Sequence, residues 1–307
     1  MNPSDFKIVA VIPVHNRRTT TLQCLKSLSR CLGSGIDLSV IVVDDGSTDG
    51  TSGAISQHFP YVETIKGDGS LFFTAGMNLG IKRALQYEPD FILTINDDSV
   101  FSEDFLVNLV KTASGYHRAI VGALLLLWDQ PHRVFQVAPR WETLSGGFRH
   151  FRQQTIWTVP AKEWEVELIV GNCVLFPAAA FKECGLMNEK LLPQYGDAEF
   201  TPRLKRAGWK LLIEPRARVF CQPNEPPRRL SEMGIRGAFH ALFISEFGPH
   251  SIKRRFFATV LGAPNRVQGL AAFFIFYLRW ILRINLEGPY GSKKKEPDIR
   301  CLSDSHL

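Results

Sequence analysis

The sequence lacks the patterns that mark zinc-binding, disulfide-rich and secreted proteins. Its six cysteines form no Cys-x-x-Cys pair and no regular framework, which argues against a zinc site and against a disulfide scaffold. The segment from Met1 to Lys7 contains Asp5 and runs directly into a short apolar strand. It has neither the charged start nor the long apolar core of a signal peptide. We therefore expect a cytoplasmic protein.

The composition is that of a folded chain with no repetitive part. Of its 307 residues, 45% are hydrophobic and 21% are charged, which is too apolar for a disordered protein. There is no internal repeat and no low-complexity tract. The length fits one large domain or a domain with an appendage. The second is expected here, because strands no longer alternate with helices after Met233.

Positive charge is concentrated near the C-terminus. The net charge of +6 would suit nucleic acid, an anionic membrane or a phosphorylated substrate, and charge alone does not choose among them. The basic residues of this stretch alternate with aromatic and aliphatic runs: Lys253, Arg254, Arg255, Arg266, Arg279, Arg283, Lys293, Lys294 and Lys295. This alternation points to lipid headgroups, and no nucleic-acid partner is expected.

The first third of the chain alternates buried strands with amphipathic helices. The predicted strands cover Ile8 to Val14, Leu38 to Val43, Val62 to Ile65 and Phe91 to Ile95. The predicted helices cover Thr19 to Leu32, Gly50 to His58 and Met77 to Tyr87, with a Gly-rich loop before the last of them. This order predicts an α/β fold with a Rossmann-like, doubly wound and mostly parallel sheet.

The pattern continues less regularly beyond Asn96. Further helices are predicted at Asp104 to Ser114, Ala178 to Cys184 and Asp197 to Ala207, and strands at Ala119 to Leu127, Glu167 to Pro177 and Trp209 to Glu214. The segment from Trp128 to Lys162 loses periodicity and is interpreted as hairpins and insertions that would contact a substrate.

Two acidic clusters follow predicted strands, namely Asp44-Asp45 and Asn96-Asp97-Asp98. Ligands of doubly wound sheets bind beyond the carboxyl ends of the strands, so both clusters should face one crevice. Carboxylate oxygens suit a hard divalent cation such as Mg²⁺ or Mn²⁺, which could neutralise a nucleotide diphosphate. The alternative is that these carboxylates only cap helices or turns.

Several motifs in order make the chain resemble a family-2 glycosyltransferase of the GT-A fold, over about Val9 to Val219. The motifs are Val11-Ile12-Pro13-Val14-His15-Asn16-Arg17, Val43-Asp44-Asp45-Gly46-Ser47, Gly67 to Gly80, Asn96-Asp97-Asp98-Ser99 and Gly196-Asp197-Ala198-Glu199. Any one of them is weak evidence. Their order is the specific signal.

The resemblance implies roles for individual residues. It places Pro13 and Asp45 at the nucleotide base, Asp97 at the ribose, Asp98 on the metal, and Asp197 as the base that takes the acceptor proton. The complete set of implied nucleotide- or donor-binding residues is Pro13, Val14, Asn16, Arg17, Asp45, Gly67, Asn78 and Asp97. In this reading the Gly-rich loop through Asn78 lies under the diphosphate and sugar.

Two positions depart from the family pattern. Relatives usually carry Glu-Asp where this chain has Gly196 before Asp197, and they often have a metal-binding histidine where Phe220-Cys221-Gln222 stands. These departures support one alternative, a catalytically silent sugar-nucleotide-binding or scaffold protein. A nucleotidyltransferase is a second alternative. It would need a Gly-rich phosphate loop after the first strand, which Val14 to Arg17 does not supply.

The expected function is inverting transfer of a sugar from a UDP- or dTDP-linked donor to a hydroxyl of a glycan or glycolipid, in surface polysaccharide synthesis of the O-antigen or capsule type. The loop Gly69-Ser70-Leu71-Phe72-Phe73 resembles that of rhamnosyl-, galactosyl- and galactofuranosyltransferases and does not choose among them. The expected organisation is a catalytic domain at 1–230, a basic and aromatic helical appendage at 231–290 and a polar tail at 291–307.

The appendage carries a hypothesis of its own. The segment from Val267 to Ile284 is apolar except for Gln268, Gly269, Arg279 and Arg283, which is too short and too charged to span a bilayer. We expect it to dock peripherally on the inner face of the cell membrane. A core-packed or dimer-forming helix is the alternative.

Overall fold

The computed structural model describes residues 5–33, 35–137, 140–149, 153–191, 196–222, 230–245, 248 and 250–282. Strands and helices alternate through most of this part of the chain. The strands are β1 Lys7–Val14, β2 Asp37–Asp44, β3 Glu63–Lys66, β4 Phe91–Ile95, β5 Ser99–Phe101, β6 Ala119–Leu127, β7 Val134–Gln136, β8 Arg140–Glu142, β9 Gly147–Arg149, β10 Trp164–Glu165, β11 Cys173–Pro177 and β12 Lys210–Cys221.

The helices lie between these strands and after them. They are α1 Arg18–Ser29, α2 Thr51–His58, α3 Phe72–Leu85, α4 Phe105–Ser114, α5 Ala178–Cys184, α6 Gly196–Arg206, α7 Gly234–Phe239, α8 Ile252–Gly262 and α9 Arg266–Ile281. Short 3₁₀ turns occur at Arg30–Gly33, Thr143–Ser145, Glu189–Leu191 and Leu230–Glu232, and a π-helical segment at His240–Ile244.

Within the described residues the main sheet has ten strands. Eight of them follow the order β10-β12-β6-β11-β4-β1-β2-β3, and β5 and β7 lie off this path, paired with β12 and β6. Strands β3, β2, β1 and β4 are parallel, and β12 is parallel to β6. Strand β11 runs antiparallel to both β4 and β6. The long strands are therefore mostly parallel, as predicted, with β11 reversed at the centre, and the short strands β5, β7 and β10 run antiparallel to their neighbours.

Both faces of β1 are buried, which explains its nearly unbroken apolar sequence. Ile8, Ala10 and Ile12 join the core that contains the apolar side chains of α1 and α4. Val9 and Val11 face the other core, with Met77 and Ile81 of α3 among their companions. Helices therefore cover the sheet on both sides, and only the strand ends are left to build a site.

Most predicted elements are confirmed, and β4, β6 and α5 have the predicted bounds. Strand β12 is longer than predicted and continues past Glu214 to Cys221. Pro215 has no N–H to offer a strand ladder, and the register of β12 against β6 shifts between Glu214 and Arg218. The strand accommodates the proline by this irregularity instead of ending.

Two sequence predictions are wrong at element boundaries. The strand predicted from Glu167 begins only at Cys173. Helix α3 begins at Phe72, five residues before the predicted Met77. The Gly-rich segment is therefore a loop only up to Leu71, and Gly76 and Asn78 are helical.

Helix α8 packs closely on α6. A Cβ at Gly262, the last residue of α8, would overlap the backbone carbonyl oxygen of Ala198 in α6. Arg206 of α6 donates to the carbonyl oxygens of Ala263 at 2.7 Å and Leu261 at 2.9 Å, which satisfies acceptors that a helix C-terminus leaves open.

Helix α9 packs on the β8–β9 hairpin. Arg279 donates to the carbonyl oxygen of Leu144 at 3.0 Å, and a Cβ at Gly146 would lie 2.8 Å from Cβ of Phe276. In the described part of the chain, no helix is long and apolar enough to cross a membrane. The predicted tail at 291–307 lies outside the described residues, and the boundary at 230 stays a prediction.

Candidate functional site

Asp45 lies at the carboxyl end of β2 and fixes the glycine-rich turn that follows β3. Its side chain is buried. One carboxylate oxygen accepts the N–H of Gly69 at 2.8 Å and the other accepts the N–H of Phe72 at 3.0 Å. A Cβ at position 67 would lie 2.6 Å from the Asp45 oxygen that accepts the Gly69 N–H. The turn can therefore come this close to Asp45 only with glycine at position 67. Each oxygen keeps a further lone pair for a ligand.

The turn after β1 is tied to the turn after β2. Asn16 donates its backbone N–H to the Ser47 hydroxyl at 2.8 Å, and its side-chain oxygen accepts the N–H of Thr48 at 2.8 Å. His15 Nδ1 lies 2.5 Å from the carbonyl oxygen of Asp45. Asn16 has a φ of 52°, a left-handed conformation that asparagine tolerates better than most residues. These bonds hold Pro13, Val14 and Asn16 beside Asp45.

Arg17 bridges that turn to the acidic cluster after β4. Its guanidinium lies 2.8 Å from a carboxylate oxygen of Asp97 and 3.4 Å from one of Asp98. Burial raises the pKa of Asp97 to about 6, although the positive charge of Arg17 opposes the rise and the negative charge of Asp98 adds to it. One cation therefore serves two buried carboxylates, and negative charge is left over at this strand end.

The oxygens beside Arg17 fit a hard divalent cation. Oδ1 of Asp98 and Oδ1 of Asn96 are both buried without a hydrogen-bond partner, which is costly for polar atoms unless something else satisfies them. Carboxylate and amide oxygens are ligands that Mg²⁺ and Mn²⁺ accept. The described residues contain no group of three or more His, Cys, Asp or Glu side chains able to hold a metal. A cation there would take its other ligands from the donor and water.

Cys221 occupies the region where the family pattern often has histidine. Burial raises the pKa of its thiol to about 12, and the nearby charge of Asp98 contributes. Thiol sulfur is a soft ligand, whereas Mg²⁺ and Mn²⁺ prefer oxygen, so Cys221 is a poor substitute for the missing ligand. Its sulfur instead lies 3.8 Å from the Asn172 amide nitrogen and 4.0 Å from the Ser99 hydroxyl.

Asp197 lies in the first turn of α6, where its negative charge interacts favourably with the helix dipole. Its carboxylate accepts the N–H of Gly171 at 3.0 Å and of Ala198 at 2.9 Å. Asn172 follows Gly171 in the chain, and its backbone oxygen accepts the N–H of Asn96 at 2.9 Å. Asp197 is thus connected to the acidic cluster through two residues of the segment before β11.

These contacts bring the candidate residues together along one edge of the sheet. Asp45 follows β2, the Val14 to Arg17 turn follows β1, and Asp97 and Asp98 follow the parallel strand β4. Asp197 joins them from the other side through Gly171. Gly171 and Asn172 are neighbours that sequence reasoning missed as part of this group, because the hydrogen bonds that place them form only between distant segments.

Asn78 does not lie in a loop. It is buried in α3, where its side-chain nitrogen donates to the Met187 carbonyl and to a Glu189 carboxylate oxygen, both at 2.9 Å. Its side-chain oxygen accepts the Met187 N–H at 3.0 Å. The structure shows that this amide joins α3 to the segment before α6. A role for Asn78 in donor binding stays a prediction.

The two arginines of α6 have structural partners. Arg203 forms an ion pair with the buried Glu199 at 2.8 Å and donates to the carbonyl oxygens of Cys184 and Leu186. Arg206 holds the end of α8. Arg203 and Arg206 are therefore both held by protein partners.

Gly196 has a physical explanation in Thr74 of α3. A Cβ at position 196 would lie 2.8 Å from the Thr74 hydroxyl oxygen and 3.0 Å from its methyl carbon. Thr74 is fully buried, and its hydroxyl has no partner. The space that a glutamate would need at position 196 is therefore filled by Thr74.

This fit predicts a rescue. We expect Gly196→Ala to lower the melting temperature by a few degrees, about what 1–3 kcal/mol of overpacking would cause. Thr74→Ala alone should change stability little, because it removes a methyl group and an unpaired buried hydroxyl together. The double variant should recover most of the loss. Differential scanning calorimetry of the three variants tests this, and independent, additive losses would contradict the contact.

Comparison with known protein families identifies the family of this chain. The model of the family described as "Glycosyl transferase family 2" matches residues 9–182, which is more than half of the chain and includes the strand ends just described. The chain belongs to glycosyl transferase family 2. It is therefore a glycosyltransferase, and the predicted GT-A fold and enzyme class are confirmed.

Curated relatives agree with this membership. A protein of Mycobacterium tuberculosis named N-acetylglucosaminyl-diphospho-decaprenol L-rhamnosyltransferase is 29% identical over 216 residues, which cover 64% of this chain and 69% of the relative. The same match occurs in two strains of that organism.

Solved structures resemble the chain in fold. GalNAc-T7 with UDP, GalNAc and Mn²⁺ has a TM-score of 0.60 at 13% identity over 87% of this chain, which spans only 53% of that protein. TarS of S. aureus with UDP-GlcNAc has a TM-score of 0.59 at 14% identity, over 92% of this chain and 77% of that one. A mannosyltransferase of Pyrobaculum calidifontis with GDP-Man and Mn²⁺ has a TM-score of 0.52 at 14% identity, over 88% and 75%. At such low identity the likeness supports the GT-A fold alone.

Proposed function

We propose that this enzyme transfers a sugar, with inversion, from a UDP- or dTDP-linked donor to a hydroxyl of a glycan carried on a lipid. The observation that carries the proposal is the placement of Asp197 and Asp98 on one edge of the sheet, connected through Gly171, Asn172 and Asn96. A donor with its diphosphate at Asp98 would then present its sugar toward Asp197. Inverting transfer needs that arrangement, with leaving group and base on opposite sides of the reacting carbon.

The donor half of the site is the region around Asp45, Arg17 and Asp97. Asp45 has lone pairs left to accept a hydrogen bond from the ring N–H of a pyrimidine base, and we assign Asp97 to the ribose hydroxyls. Arg17 brings positive charge to the same strand end. Binding of an anionic diphosphate would give Arg17 a further partner, because its guanidinium has five N–H donors.

Asp98 and Asn96 are the residues that would hold Mg²⁺ or Mn²⁺, because their unpaired buried oxygens are of the kind these ions prefer. The ion would supply Lewis-acid stabilisation of the charge that develops on the leaving diphosphate. Two of the structural neighbours were solved with Mn²⁺, which supports a divalent ion without selecting one.

Asp197 is the proposed general base. As the acceptor oxygen bonds to the anomeric carbon, the bond from that carbon to the diphosphate oxygen breaks, and the hydroxyl proton passes to the Asp197 carboxylate. The N–H groups of Gly171 and Ala198 orient the carboxylate. Its partial exposure leaves an approach for the acceptor. One carboxylate is sufficient for this step, so the glycine at position 196 does not remove the base.

The acceptor and sugar are proposed from the relatives. The mycobacterial proteins are named as transferring L-rhamnose to an N-acetylglucosaminyl-diphospho-lipid. We propose a deoxyhexose or hexose donor and a polyprenyl-diphosphate-linked saccharide of surface polysaccharide synthesis as the substrates here. Thr74 gives Gly196 a packing reason, so this glycine no longer supports a catalytically silent role. The absent histidine is the other departure, and we assign its place among the metal ligands to the donor and water.

A donor and acceptor screen tests this function. We expect release of nucleoside diphosphate from dTDP-rhamnose, UDP-galactose or another UDP- or dTDP-sugar to require both a divalent ion and a lipid-diphosphate saccharide. Chromatography with mass spectrometry should show the saccharide heavier by one sugar residue and, by NMR, with inverted anomeric configuration. Retained configuration, or no transfer from any donor of the panel, would overturn the proposal.

A further inference from the structure

Helix α9 has one apolar face that the rest of the described chain leaves open. Val267, Leu270, Phe274 and Leu278 are exposed by 77, 40, 66 and 56%. Their spacing of three, four and four residues places them in one row along the helix. The opposite face is packed, with Gly269 against Val260 and Phe276 against Gly146. The open row is therefore a second apolar surface and not an incompletely packed core.

A second exposed apolar group lies in the segment just before α8. Ile235, Phe239, Phe243 and Ile244, in α7 and the π-helical segment, are exposed by 92, 55, 63 and 58%. The π-helical segment contacts α8. Apolar surface of this extent on one part of a folded chain indicates a binding surface.

The charge around these groups selects the partner. From Met233 to Leu282 the sequence has six basic residues and one acidic residue, Glu246. Arg236 and Arg266 are exposed and directly adjoin Ile235 and Val267, and Lys253 at the start of α8 is exposed as well. Apolar side chains bordered by cations match an anionic bilayer surface. A second copy of the chain would bring the same positive charges together, which opposes such a dimer.

We infer that the open face of α9, together with α7 and the π-helical segment, docks on an anionic lipid bilayer and holds the base-bearing helix α6 beside that membrane. The connection to α6 is direct, because α8 meets it at Gly262 and Ala198, one residue after Asp197. Arg206 of α6 also binds the carbonyl oxygens at the end of α8. The inference rests on the proposed lipid-linked acceptor, whose saccharide would project from the membrane toward α6.

Vesicle flotation of the full chain tests the surface. We expect binding to phosphatidylcholine vesicles that contain phosphatidylglycerol, and much weaker binding to phosphatidylcholine alone. Phe274→Ser with Leu278→Ser should lower the partition coefficient at least about tenfold, because the bilayer loses two apolar side chains that would insert into it. The matched control is Tyr61→Ser, which removes an aromatic ring exposed by 47% at the far edge of the sheet.

Charge is tested in the same assay. Lys253→Glu and Arg266→Glu should each lower binding at least about fivefold, since a cation near an anionic surface contributes on the order of 1 kcal/mol. Lys111→Glu makes the same change of charge at an exposed position of α4 and should leave binding unchanged. Equal loss in all three variants would mean that only net charge matters, and the proposed surface would be wrong.

Activity separates this inference from the proposed function. The Phe274→Ser, Leu278→Ser variant should keep wild-type transfer to a short water-soluble acceptor and lose it to an acceptor embedded in vesicles. Wild-type protein that fails to float with anionic vesicles would overturn the surface, whatever its transferase activity. So would a wild-type dimer, measured by light scattering, that this variant converts to monomer without any change in flotation. Failure of the proposed function would instead appear as no transfer to either acceptor.

Discussion

Asp197→Asn is expected to abolish transfer while leaving donor binding intact. The substituted amide keeps an oxygen that can accept the Gly171 N–H, which Asp197 now accepts at 3.0 Å, so α6 should remain in place. It cannot take a proton from the acceptor hydroxyl. General-base catalysis contributes about 10²–10⁴ in rate, and kcat should fall by that factor with little change in KM for the donor.

The measurement is steady-state transfer at saturating acceptor, together with calorimetric titration of the donor. Asp104→Asn is a suitable control, since Asp104 is an exposed carboxylate at the start of α4 that makes no side-chain cap to the helix. If Asp197→Asn kept a kcat within about threefold of wild type, the general-base assignment would be lost, because that interval is far below the effect of removing a base. A raised donor KM with unchanged kcat would move Asp197 to the donor side.

The strand ends of the site could be predicted because they depend on local sequence. A β-branched run followed by acidic residues predicts both a buried strand and where it ends, and β4 has the predicted bounds before Asp97 and Asp98. Parallel neighbours then place the acidic ends on one edge without any long-range information. The same reasoning predicts the position of Asp45 after β2.

The start of α3 could not be predicted, because its cause is distant in sequence. The Asp45 carboxylate accepts the N–H of Phe72 at 3.0 Å and so satisfies a donor that a helix start leaves open. Phe72 itself has a φ of 54°, which is uncommon for an aromatic residue and is held by this contact. Nothing within Gly67 to Gly76 indicates that a helix begins there.

Gly196, within the site itself, also depends on a contact that is distant in sequence. As a departure from the family pattern it resembles a loss of function, and the sequence alone does not connect it with Thr74, which lies 122 positions earlier. The structure shows that the two positions compete for one space. Arg17 is similar, because its motif indicates the donor side but not the shared ion pair with Asp97 and Asp98.

Asp98→Asn should remove the metal dependence of donor binding. The substitution keeps the shape of the side chain and an oxygen at the buried position, but it takes away the negative charge that attracts a divalent ion. Arg17 keeps its closer partner Asp97 at 2.8 Å, so the turn after β1 should stay in place. We expect kcat/KM to fall by at least about 10²-fold, about 2.7 kcal/mol of transition-state stabilisation.

Thermal shift measurements separate this effect from a loss of folding. A donor at about 100 times its dissociation constant stabilises a protein by about 2.7 kcal/mol, which corresponds to several degrees in melting temperature for a chain of this size. EDTA should remove most of this shift from the wild type and change little in Asp98→Asn, whose shift should already be small. A variant that kept a large, EDTA-sensitive shift would show that the metal is held elsewhere. In that case the unpaired oxygens of Asp98 and Asn96 would need another partner, and the donor would have to bind without its diphosphate at this strand end.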